Sequence, residues 1–147
     1  MRDNLSNCQA VHLGNVTVSG TTPATSAYVD LRGFGACTIA VVANTVTDAG
    51  TASGFTVTLQ ESADTTAAAA GTVATTDTIG AANTVTVTSD TADNTNAGGM
   101  GYIGENRYVG ISVTGTTGSD ADISIIALLG KPSKAATTFI GTSVART

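Results

Sequence analysis

The sequence predicts an all-β protein: an antiparallel β-sandwich of about eight strands, jelly-roll-like, with extended N- and C-terminal arms. Three observations carry this. Apolar and polar residues alternate strictly in several short runs, of which Phe55-Thr56-Val57-Thr58-Leu59-Gln60 is the clearest; a period of two belongs to a strand with one buried face. The 28 Val, Ile and Leu residues of the 147-residue chain can build a core, and at this length one domain buries roughly two-thirds of its unfolded surface. Pro is nearly absent, with only Pro23 and Pro132. Thr, Ala, Gly and Ser fill about half the chain, and with so ordered an apolar pattern they read as strand surface and turns, not as a disordered stalk.

Taken in order, residues 12–18 form a first strand, and residues 25–31 a second after the turn at Thr21-Thr22-Pro23. Residues 36–43 read as a strand apolar on both faces, because Ile39, Val41 and Val42 leave neither side polar. Phe55, Val57 and Leu59 face the core from the next strand, with Thr56, Thr58 and Gln60 in water. Residues 84–88 repeat the scheme with Val85 and Val87 inside, and residues 107–114 do so with Val109, Ile111 and Val113. Residues 123–129 close the set as a second strand apolar on both faces. Thr suits the outer faces because its branched side chain favours a strand while its hydroxyl stays hydrated. The connections are rich in Gly, Asn, Asp and Ser, as turns require. Ala67 to Ala70 is the one helix-prone stretch, too short to stand alone. The expected core is Ile39, Val41, Phe55, Val57, Leu59, Val109, Ile111, Ile123 and Ile125.

Charge divides the chain. Residues 3–122 hold all eleven acids against Arg32 and Arg107, a net of −9, whereas Lys131, Lys134 and Arg146 follow with no acid, a net of +3. The expected organisation is an N-terminal arm at 1–10, the sandwich at 11–130 and a C-terminal arm at 131–147. The C-terminal arm also carries Phe139, Ile140 and Val144, which a free tail would leave exposed to water. Lys131, Lys134, Phe139, Ile140, Val144 and Arg146 are therefore the expected partner-contact residues. The first residues contain no apolar stretch of signal-peptide type, and no apolar run approaches membrane-spanning length. Synthesis in a cytoplasm, with no membrane partner, is the expectation. There, Cys8 and Cys37 are expected as free thiols rather than a disulfide.

The inventory of reactive groups is thin. The total charge of −5 disfavours phosphate neutralisation, so nucleic acid is not an expected partner. His12 is the lone His, leaving no Ser triad and little acid–base or metal chemistry. Gly99-Met100-Gly101-Tyr102-Ile103-Gly104 matches the dinucleotide string, but a β-branched alternating run follows it where a helix is required. Residues 89–96 are rich in oxygen yet lack the spacing and closing Glu of the known Ca²⁺ loop, and read as a solvated turn. Glu61 and Glu105 are the only glutamates, and nothing in the sequence pairs them. Tyr28, Tyr102 and Tyr108 are too scattered for a base-stacking platform and read as core or rim. Arg107 is expected to pair locally with a carboxylate. No catalysis, cofactor or metal is expected.

Three segments carry a family resemblance: Phe55-Thr56-Val57-Thr58-Leu59-Gln60-Glu61-Ser62-Ala63-Asp64, Gly101-Tyr102-Ile103-Gly104-Glu105-Asn106-Arg107-Tyr108-Val109 and Leu128-Leu129-Gly130-Lys131-Pro132. Their order resembles that of small proteins encoded beside the major capsid gene of tailed bacteriophages, and the resemblance spans residues 29–132. It implies a head decoration, or cement, protein that forms a homo-oligomer, a dimer or trimer, and binds the major capsid protein. Its expected location is the outer capsid surface of the virion, after synthesis in the host bacterial cytoplasm. The residues suit that role, since no Lys precedes Lys131 and ordering Thr, Ser or Ala at an interface costs less entropy than ordering Lys. A tail-tube or fibre component of the virion is the nearer alternative. A β-sandwich adhesin or carbohydrate-binding module is the other, disfavoured by three Tyr and no Trp.

Overall fold

A computed structural model describes residues 8–64 and 69–132. Ten strands follow one another: β1 (Cys8–Ser19), β2 (Ala24–Thr25), β3 (Val29–Asp30), β4 (Phe34–Asp48), β5 (Phe55–Ser62), β6 (Gly71–Thr72), β7 (Thr84–Val87), β8 (Thr95–Tyr102), β9 (Tyr108–Thr114) and β10 (Asp120–Pro132). All pairings are antiparallel. The front sheet has the order β1-β10-β4-β8. In the back sheet β9 and β5 are central, with β2 and β3 along the outer side of β9 and β6 and β7 along that of β5. Counting each split edge as one strand gives the expected eight, and most successive strands alternate between sheets. That wrapping is the jelly roll.

Alternation places the core where the sequence put it. All nine expected core residues are fully buried, joined by Leu13, Val16, Val18, Met100 and Leu129 from the front sheet. Of the pair expected inside β7, Val87 is buried and Val85 partly so.

Four features differ from the sequence reading. Residues 25–31 are two short strands, because Ser26 turns its hydroxyl into the ladder: Ile111 N–H donates to Ser26 Oγ (3.1 Å) while Ser26 N–H donates to Ile111 O (3.1 Å). The side chain there substitutes for a backbone acceptor, and the edge bends. Second, β8 was not anticipated, since Gly98, Gly99 and Gly101 erase its alternation. Two of these glycines leave room for close neighbours: a Cβ on Gly98 would stand 2.9 Å from Val85 Cγ2, and one on Gly101 2.9 Å from Ile79 Cδ1. Third, β4 and β10 were read as covered on both faces. They lie side by side in the middle of the front sheet, and no described layer lies over their outer side. Fourth, residues 8–10 and 131–132 are paired strand, with Cys8 opposite Gly130 and Pro132 opposite Phe34. The rest of both predicted arms, residues 1–7 and 133–147, lies outside the described residues, as do Ala67 and Ala68 of the helix-prone stretch. No helix among the described residues is long and apolar enough to cross a membrane.

Candidate functional site

The outer face of the front sheet is built from the residues that alternate with its core positions. Direct cross-strand partners share a side of the sheet, so the register sets out its rows. One row is His12, Ile126, Ala40 and Gly99; the next is Ala10, Leu128, Thr38 and Gly101. Ile79, from a 3-10 turn at Ile79–Ala81, lies against Gly101 and is 64% exposed. Leu128 is 40% exposed. Small residues on β4 and β8 keep this half of the face flat, and it carries no Asp, Glu, Lys or Arg.

The other half of the same face is polar and bonded to itself. Ser124 Oγ donates to Asn15 Oδ1 (2.7 Å), and Asn44 Nδ2 donates to Ser124 Oγ (2.9 Å) and to Asp122 Oδ2 (3.1 Å). The chain thus divides one face into an apolar end, near the start of β1 and the finish of β10, and a polar end closed by Asp122. No cation stands beside Asp122 among the described residues, whose one ion pair is Arg107–Asp30.

A second feature is a cleft of ≈ 440 Å³ at the end of the sandwich where β4 begins, lined by Leu31, Phe34, Cys37, Tyr102, Ile103 and Arg107 among others. Arg32 and Glu105 line it as well. Burial pushes the Cys37 thiol up to about 12, so at neutral pH it is neither a thiolate nor a nucleophile. Burial, and then the hydrogen bond to Glu61, pushes the Tyr102 hydroxyl up as well. That hydroxyl is structural: it donates to Glu61 Oε2 (2.6 Å) and accepts the Asn106 N–H (2.9 Å), closing the β8–β9 connection. Arg107 is engaged with Asp30, through Nε to Oδ1 (2.8 Å) and NH2 to Oδ2 (2.5 Å), and lies 4.8 Å from the Tyr108 ring centre. Its carboxylate partner is therefore across the β3–β9 pair, far away in sequence.

The motifs resolve structurally. The Gly99–Gly104 string is the finish of β8 and the bend after it, and it leads into β9 rather than a helix. In the 89–96 loop, Asp90 Oδ1 accepts the Ala49 N–H (2.8 Å) and Asp93 Oδ1 accepts the Val46 N–H (2.5 Å). These carboxylates close a loop onto β4. His12 is on the exposed side of β1, 3.2 Å from Asn15 Oδ1. Cys8 is exposed and Cys37 buried, both free, on opposite faces of the front sheet. Of the six expected partner-contact residues, Lys131 is described: it is exposed, with its side chain beside Gly35. Lys134, Phe139, Ile140, Val144 and Arg146 lie outside the described residues. The apolar outer face itself was missed, although its signal was present in the two strands without a polar side.

No protein-family model and no curated protein sequence matches the chain. Among solved structures, the exported protein XepA of phage PBSX is similar, with a TM-score of 0.55 and 14% identity. The match takes in 100% of this chain and 45% of XepA, so this chain spans less than half of that protein's length. At that identity the likeness is one of fold alone.

Proposed function

We propose that this chain is a non-catalytic structural protein of a bacteriophage virion that decorates the capsid and bridges major capsid protein subunits. The observation that carries this reading is the division of labour in the molecule: a closed jelly-roll body, a cleft whose Cys37 thiol is held protonated and whose Tyr102 and Arg107 are engaged in the fold, and an apolar face beside a basic chain end. Further support comes from the fold likeness to a phage protein and from the phage-head resemblance of residues 29–132. In this reading Lys131, Lys134, Phe139, Ile140, Val144 and Arg146 contact the capsid, and the body lies on its outer surface as a dimer or trimer. A lattice of repeated sites multiplies each weak contact through avidity, so no single contact has to be strong.

Mixing the purified protein with capsids that lack it tests the proposal. Saturable co-sedimentation at a fixed ratio to the capsid protein is expected, with sharply weaker binding once residues 134–147 are deleted. Absence of binding to capsids, with binding to tails instead, would move the protein to the tail-tube or fibre reading.

A further inference from the structure

The outer face of the front sheet poses a physical problem. An antiparallel sheet with one side in water alternates apolar with polar residues, whereas strands apolar on both sides belong under a second layer. β5 and β9 obey the first rule. At Ala40, Ile126 and Leu128, in the two rows that hold no charged residue, β4 and β10 follow the second without a described layer above them.

We infer that the C-terminal segment, residues 133–147, folds back over the apolar half of this face and covers it in the free protein. Size argues against a second copy as the cover. Four strands span about 14 Å and the apolar rows run about the same distance along them, which is a few hundred Å² at most, well below the ~800 Å² per partner of a stable dimer. It is the footprint of one extended segment. Position argues for this one, because the chain leaves β10 at Pro132, at the apolar end of the face. Phe139 is seven steps along the chain from Pro132, a reach of up to ~23 Å, against the ~13 Å needed to return to the level of Leu128. Charge then fixes the direction. With Phe139 and Ile140 over Leu128 and Ile126, an extended chain running back along β10 brings Arg146 ~23 Å further on. Asp122, without a cation beside it, lies ~20 Å from Leu128 along the strand.

This goes beyond the decoration reading, since it concerns the free molecule. The residues proposed to meet the capsid have a resting seat that they leave on binding.

Chymotrypsin cutting after Phe139 in the full-length protein tests it without any capsid, so its failure and a failure to decorate capsids are separate results. In the intact chain the cut is slow; Leu128→Asp, or Ile79→Asp if the first variant misfolds, speeds it by at least about tenfold, because cleavage tracks the open population. Thr58→Asp, on the back sheet, leaves it unchanged. Equal rates in the intact chain and the front-face variants would overturn the inference. So would a concentration-dependent oligomer that Leu128→Asp dissolves, for then a second copy would be the cover.

Discussion

The central pairs of the two sheets, β5 with β9 and β4 with β10, are alike on the inside and unlike on the outside. Inward, Phe55, Val57, Leu59, Val109, Ile111 and Val113 meet Ile39, Val41, Ile123, Ile125 and Leu129, all buried. Outward, the back pair shows Thr56, Thr58, Gln60, Ser112 and Thr114, tied to its edge strands by hydroxyl and amide contacts such as Thr56 Oγ1···Thr86 Oγ1 (3.3 Å) and Gln60 Nε2 to Thr72 Oγ1 (3.2 Å). In the same positions of the pattern the front pair shows Ala40, Ile126 and Leu128 toward one end, and Ser124, Asn44 and Asp122 toward the other. Folding demands an apolar inside from both pairs. It demands nothing apolar of the outside, so the difference between the outer faces is the observation on which the proposed cover rests.

The inner likeness is tested by the largest effects. Phe55→Ala and Leu129→Ala, one from each sheet, are each expected to cost about 2–5 kcal/mol in urea unfolding, by lost burial and cavity formation. A cost below about 0.5 kcal/mol, typical of surface sites, at either position would break the symmetry of the core. Next comes Gly54, which enters β5 with φ +66° and would place a Cβ 1.9 Å from Val87 O. Gly54→Ala has to displace backbone and is expected to cost about 2–3 kcal/mol; a neutral result would show that the β5–β7 edge yields freely. Tyr102→Phe removes the hydroxyl that links Glu61 and Asn106 at the end of the sandwich, with an expected loss of about 1–2 kcal/mol. Unchanged stability would mean that water replaces that hydroxyl.

How far the sequence foretold this comparison depends on the strand. β5 and β9 were legible because Thr alternates with Val and Leu, and solvent imposes that pattern on a half-buried strand. β8 was illegible because its glycines answer to Val85 and Ile79, side chains that come close only after folding. The outer face was half legible. Two strands without a polar side announced that something must lie over them, but periodicity cannot say whether the cover is a second sheet, a chain end or a partner. The Arg107–Asp30 pair was invisible for a simpler reason: 77 residues separate its members, and only the β3–β9 register brings them together.

That pair supplies the smallest expected effect. The Arg107 hydrogen bond, with lesser help from backbone bonding at Arg32, lowers the Asp30 carboxyl to about 2. A carboxylate held below its unfolded value stabilises the fold above that value and loses the contribution as pH falls through the folded one. The window therefore runs from about pH 4 down to about 2, and exposure keeps the gain small. Melting temperatures of the wild type and Asp30→Asn, compared from pH 5 to 2, are expected to converge as the pH falls. A gap that stays constant would mean that the pair adds nothing beyond its geometry.

The contrast between the outer faces is tested most directly by thiol labelling at matched positions. In a Cys8→Ser background, with Cys37 buried and protonated, a single thiol reagent is applied to Ala40→Cys on the front face and to Thr58→Cys on the back. Ala40→Cys is expected to be protected in the full chain and to become reactive when the chain ends at Ser133, while Thr58→Cys reacts equally in both. Equal and fast labelling of the two positions in the full chain would show that the front face lies open to water and that nothing in this molecule covers it.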